Sequence, residues 1–209
     1  DDWRVRAILN FANEEAKHIH LFKRFHTAFV RGFPVECQVI SPSEDIGAKI
    51  LSHDPLAVAL VILMIEWMTQ EHYLGSIRDN QDLDPLFKSL MLNHWKEEAQ
   101  HAKLDTLIVE VLAKGRSEQQ LDKVMDDFFS IGGFLDQGLQ VQAGFNLAAL
   151  ERAIGRHVDD RDEILAQQHQ AARWTYVGSG MVHERFKATL LSISARAAER
   201  MAEAAPIFA

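Results

Sequence analysis

Apolar positions recur every three or four residues along nearly the whole chain, and no convincing run alternates with a period of two. That pattern predicts α-helices throughout and no sheet. A first helix is expected from about Trp3 to Phe29, with Ile8, Phe11, Ala12, Ile19, Phe22 and Phe29 on one apolar stripe. Gly32, Phe33 and Pro34 should end it. A connection of about twenty residues follows, over 31–53. It is long for neighbouring helices but suits a crossover along the length of a bundle.

Asp54-Pro55 is a start signal, with Asp as N-cap and Pro at the first helical position. The helix it opens should reach Asp79 and is apolar nearly all round, as a central helix would be. Asp84-Pro85 repeats the device for a third helix that runs to Lys114, where Gly115 stops it. Two more long helices are expected over Ser117–Ile154 and Asp160–Ala205. Gly132-Gly133 should bend the first, and Gly178-Ser179-Gly180 should break the second. The sum is an all-α chain: a helical bundle with a long crossover and an added C-terminal helical hairpin. We expect one domain over 1–209, with the chemistry in 1–114 and the hairpin in 115–209.

Composition narrows the class. The 209 residues carry 22 basic and 30 acidic side chains, a net charge of −8, with no basic block. Nucleic acid and anionic membrane are therefore not the expected partners. The longest apolar run, Ala57 to Ile65, is too short to cross a bilayer and stops at Glu66. Cys37 is the only cysteine, so no internal disulfide can form, which suits a reducing cytoplasm. The chain opens on Asp1 rather than Met, and helical patterning starts at once. We expect a segment upstream of it.

Three acidic or histidine-bearing sites lie on the core-facing stripes of the first three helices. They are Glu15-x-x-His18, Glu66 within Val61–Met68, and His94-x-x-x-Glu98-x-x-His101. About 0.7 Glu-x-x-His matches are expected by chance, and two occur, so spacing alone says little. Position says more. At 100° per residue Glu15 shares a face with Ile8, Phe11, Ile19 and Phe22. Glu66 shares one with Ala59, Ile62, Leu63 and Tyr73, and Glu98 one with Met91, His94, Ala102 and Val109. Carboxylates on three apolar stripes are costly unless a positive charge compensates them. Lys and Arg are scarce on those faces, and a metal ion would supply the charge. Iron and manganese both accept carboxylate and imidazole together.

This order of residues resembles the ferritin-like di-iron carboxylate superfamily, whose bundle uses a Glu on each of two helices and Glu-x-x-His on each of the other two. The chain reads Glu15-x-x-His18, long connection, Glu66, Glu98-x-x-His101, which is the family order without its first helix. Within that superfamily the run from His94 to His101 is similar to the p-aminobenzoate N-oxygenase group, where an extra His one turn before the last Glu joins the site. The resemblance covers roughly residues 3 to 112. It implies two iron ions, with manganese as the alternative, held by Glu15, His18, Glu66, His94, Glu98 and His101. It also implies dioxygen activation and oxidation of a small organic substrate such as an arylamine. The first-helix Glu has no counterpart here. It lies upstream of Asp1, or Asp136 or Glu151 replaces it, or the site is degenerate.

Two other readings stand beside this one. One is a ferritin-like iron-handling protein with no organic substrate, and the other is a structural bundle with internally bonded carboxylates. A homodimer through the C-terminal hairpin is also open. Asp105 is either a hydrogen-bond partner for a ligand histidine or a solvated acid, and the second is favoured. Tyr73 is expected in the core. His157, His169 and His183 show no partner at metal spacing. Trp174-Thr-Tyr176 is read as packing.

Overall fold

A computed structural model describes residues 2–40 and 42–208 of the chain. Among them every regular element is helical and no strand occurs. No described helix is long and apolar enough to cross a membrane. The chain divides into two compact units: Asp1–Gln38 with Phe145–Asp159, and Val39–Gly144 with Asp160–Ala209.

The first unit is built on α1 (Trp3–Gly32), whose N-cap Asp2 accepts a hydrogen bond from the Arg4 amide at 3.0 Å. Its other part is the C-terminal stretch of α5 (Glu118–Ile154), which ends at Gly155 with φ +69°. Arg152 donates to the Glu36 carbonyl at 2.6 Å, fixing the chain that leaves α1. The apolar stripe expected as core is largely open: Ile8 is 51% and Ile19 55% exposed, and His18 is the one buried residue of α1. Within this unit one long helix meets only about three turns of another. That is too little surface to cover a stripe of thirty residues.

The second unit holds the core. Helix α2 (Ser43–Leu51) occupies part of the connection over 31–53 that the sequence marks as a crossover. Its nine residues carry Ile46 and Ile50 at i, i+4, a signal too short to stand out by period alone. Helix α3 (Pro55–His72) is central, as its all-round apolar surface predicts. Leu56, Leu60, Leu63 and Met64 are buried in one cluster with Met125, Phe128 and Phe186. Asp54 caps α3 through the Leu56 amide at 2.8 Å and also receives Arg116 at 2.8 and 2.9 Å. Its own amide donates to Asp127 of α5 at 2.8 Å, so this one residue ties together the start of α3, Arg116 and α5. Beyond His72 the helix widens into a π-helical turn, Tyr73–Ile77, short of the expected end at Asp79.

Asp84 caps α4 (Pro85–Ala113) through the amides of Leu86 and Phe87, and Gly115, at φ +80°, turns the chain after it. Helix α5 runs through Gly132 and Gly133 without interruption. The C-terminal stretch is cut differently from the expectation. Helix α6 (Arg161–Arg173) leads into a π-helical turn, Trp174–Gly178, and then α7 (Ser179–Val182), α8 (Glu184–Ile193) and α9 (Ala195–Ala204). The breaks fall at His183 and Ser194, whose extended backbones let their side chains cap the next helices. Gly178 and Gly180 stay helical, and their role is close approach. A Cβ on Gly180 would collide with the Met64 carbonyl, and one on Gly178 would lie 2.8 Å from the Phe208 oxygen.

Candidate metal centre

Helices α3 and α4 are antiparallel neighbours in the second unit. Gln70 Nε2 donates to the Trp95 carbonyl at 3.1 Å, and the Tyr73 ring stacks on Trp95 at 4.9 Å. One turn back from Gln70 and one turn on from Trp95, Glu66 comes level with Ala99, beside Glu98. Both acids are buried, Glu66 to 6% and Glu98 to 4% exposure. His101 is 2% exposed, one turn further along α4. Tyr73 is buried, as expected of a core aromatic.

Glu98 sits between two imidazoles of its own helix. His94 Nε2 lies 2.6 Å from its Oε1, and His101 Nδ1 lies 2.5 Å from its Oε2. Spacings of i, i+4 and i, i+3 put all three on one face, so α4 alone builds this triad. Asp105 follows one turn after His101 and is 5% exposed. The reading of Asp105 as a solvated acid is therefore incorrect. Its spacing from His101 was the signal, and it shares its inward face with the buried Ala102 and Val109.

In the first unit Glu15 and His18 face each other on α1, His18 Nδ1 standing 3.7 Å from Glu15 Oε1. His18 is 3% exposed, whereas Glu15 is half-buried. Glu15 and His18 in the first unit, and Glu98 and His101 in the second, are each a carboxylate and an imidazole one turn apart on a single helix, the donor pair that a metal ion can take from one helix. In the second unit Glu66 is also buried, and His94 touches Glu98. Carboxylate and imidazole together match a borderline divalent ion such as iron, manganese or zinc better than calcium or magnesium.

The two candidates for the remaining carboxylate both have partners of their own. Asp136 in the second unit accepts from Arg173 at 2.8 and 2.6 Å and from His169 at 2.8 Å. The Arg173 hydrogen bonds hold its carboxyl below the ordinary value of 3.8, against the effect of burial. Asp136 thus anchors α6 to α5. Glu151 in the first unit is buried. Its Oε1 accepts from the Val158 amide at 3.2 Å and stands 3.2 Å from His157 Nδ1. The third candidate, a Glu upstream of Asp1, lies outside the described residues.

The histidines set aside on spacing do have partners. His169 meets Asp136 across 33 residues, and His183 stacks on Trp67 with ring centroids 4.7 Å apart. No local spacing carries such contacts. Burial pushes His183 and His72 below the ordinary histidine value of 6.5. No protein-family model, curated protein or solved structure matches this chain.

Proposed function

We propose that the chain is a ferritin-like di-iron protein that activates dioxygen to oxidise a small organic substrate, with an arylamine as the class to try first. Glu15, His18, Glu66, Glu98 and His101 are its proposed ligands. The observation that carries this reading is the burial of Glu66, Glu98 and His101 on two adjacent helices, where carboxylate charge is costly to hold. A divalent ion offsets that charge and uses both donor types present. When bound, the metal supplies the redox chemistry of dioxygen.

The chain's own contributions are then specific. Glu66 and Glu98 neutralise the ions and can turn between one and two contacts. His18 and His101 bind as neutral imidazoles. Asp105, one turn from His101, is suited to fixing the orientation of a ligand histidine, as outer acids do around metal sites. His94 positions Glu98 through the 2.6 Å contact. The apolar neighbours on α3 keep water from the carboxylates.

A structural ion cluster is the second reading, and the contacts of Glu98 with His94 and His101 favour it. Metal content per chain separates the two. The protein is purified without chelator, loaded anaerobically with ferrous iron and desalted. About two irons per chain, followed by oxygen uptake that depends on added arylamine, supports the oxidase. Two irons with uptake that ignores organic substrates points to iron handling. No retained metal sinks the proposal and leaves the structural cluster.

A further inference from the structure

We propose that the groove between α4 and α8 of the second unit binds a free medium-chain carboxylic acid. The groove has a volume of about 1050 Å³. Its lining includes Trp67, Leu104 and Leu107 together with the charged Lys103, Glu110 and Arg185. Leu107 is 57% exposed, so the apolar wall is open to a ligand.

The polarity along the groove follows from its neighbours. Trp67 stacks on His183, just before α8, so Arg185 stands at the Trp67 end. Glu110 and Ser192 line this groove and also an adjoining cavity around Gly115 and Arg116, which fixes them at the opposite end. Lys103 and Arg185 therefore lie towards one end and Glu110 closes the other. Neither cation has an ion-pair partner among the described residues, in a chain with eight more acids than bases.

That arrangement selects a ligand. A carboxylate at Lys103 and Arg185 gains two charge-assisted contacts, while Glu110 repels an anion at the far end. Lys103 to Glu110 is seven residues, a rise of about 10 Å, which an extended eight-carbon chain matches. The apolar chain then covers Leu104 and Leu107. A small amine can pair only with Glu110, lying the other way round, against two cations for the acid, and neutral alcohols lose the ionic contacts. This inference uses none of the proposed metal ligands and holds with or without metal.

The test uses octanoate, octanol and octylamine on the full chain, in metal-free and iron-loaded forms, followed by titration calorimetry and tryptophan emission. Octanoate should bind saturably, roughly tenfold tighter than octanol, and more tightly than octylamine. The exposed double variant K103E/R185E should lose about that tenfold for octanoate and keep its affinity for octanol. Circular dichroism of the variant should match the parent, because both changes are at the surface. Equal binding of octanoate and octylamine overturns the proposal, as does octanoate affinity unchanged by the charge reversals. Octanoate binding confined to the iron-loaded form also overturns it, since the acid is then a metal ligand. So does a stable dimer by sedimentation that takes up no octanoate, since a second copy would then fill the groove.

Discussion

At the residue scale Glu98 is central, with one carboxylate oxygen against His94 and the other against His101. If it ligates metal, replacing it by Ala removes both a ligand and the charge that holds the ion. E98A should lose most of its bound iron, measured by elemental analysis after anaerobic loading. Full iron retention in that variant refutes the site. The two histidines should then separate. His101 is buried and lies one turn from Glu98, the Glu-x-x-His pair proposed to ligate, whereas His94 is proposed to act by positioning Glu98. H101A should therefore retain less iron than H94A, and equal, complete loss in both would contradict the ranking. Much of this was legible in the sequence, because Glu98, His94 and His101 are helix neighbours and helical spacing fixes their common face. Asp136 was not, since Arg173 and His169 reach it across more than thirty residues, and no local period encodes such a contact.

At the element scale, the starts of α3 and α4 were readable because Asp-Pro carries its own mechanism, an acceptor for free amides followed by a preset φ. The divisions between α7, α8 and α9 were not, because Gly178 and Gly180 are glycine for packing rather than for flexibility. That difference has a measurable consequence. Gly180→Ala drives a methyl group into the Met64 backbone and should destabilise the fold by about 1–3 kcal/mol, the usual range for overpacking. Gly133→Ala makes the same chemical change in an exposed turn of α5, where nothing lies within 4 Å of the added Cβ. It should stabilise by about 1 kcal/mol through helix propensity. Urea midpoints at fixed slope compare them, and two shifts of the same sign would defeat the distinction.

A second device at this scale is pH-dependent. His183 Nδ1 accepts from the Arg185 amide at 3.2 Å, capping α8, and burial lowers the affinity of the ring for a proton. A histidine held neutral in the fold binds fewer protons than in the unfolded chain. The fold therefore loses stability as pH falls below about 6.5 towards the lowered folded value. Protonating Nδ1 also removes the cap acceptor. Replacing His183 by Asn keeps an acceptor and removes the titration. Between pH 7 and 5 the urea midpoint of H183N should fall less than that of the parent. His72, also lowered by burial, remains in both and cancels in the comparison. Identical pH slopes would mean that His183 does not sense this range.

At the scale of the whole molecule, metal and stability are linked if the proposed function is right. An ion bound to the folded chain and not to the unfolded one stabilises by about 2.7 kcal/mol when free metal is one hundred times Kd. For a chain of this size each kcal/mol moves the midpoint by about 2–4 °C, so iron should raise Tm by about 5–10 °C. Calorimetry of the parent with ferrous iron under nitrogen, against the same sample with chelator, measures the difference. E98A serves as the control, since its Tm should barely respond to iron. A parent Tm that ignores iron would mean that the carboxylates are satisfied within the protein, and the structural cluster would then be the better account of why they are buried.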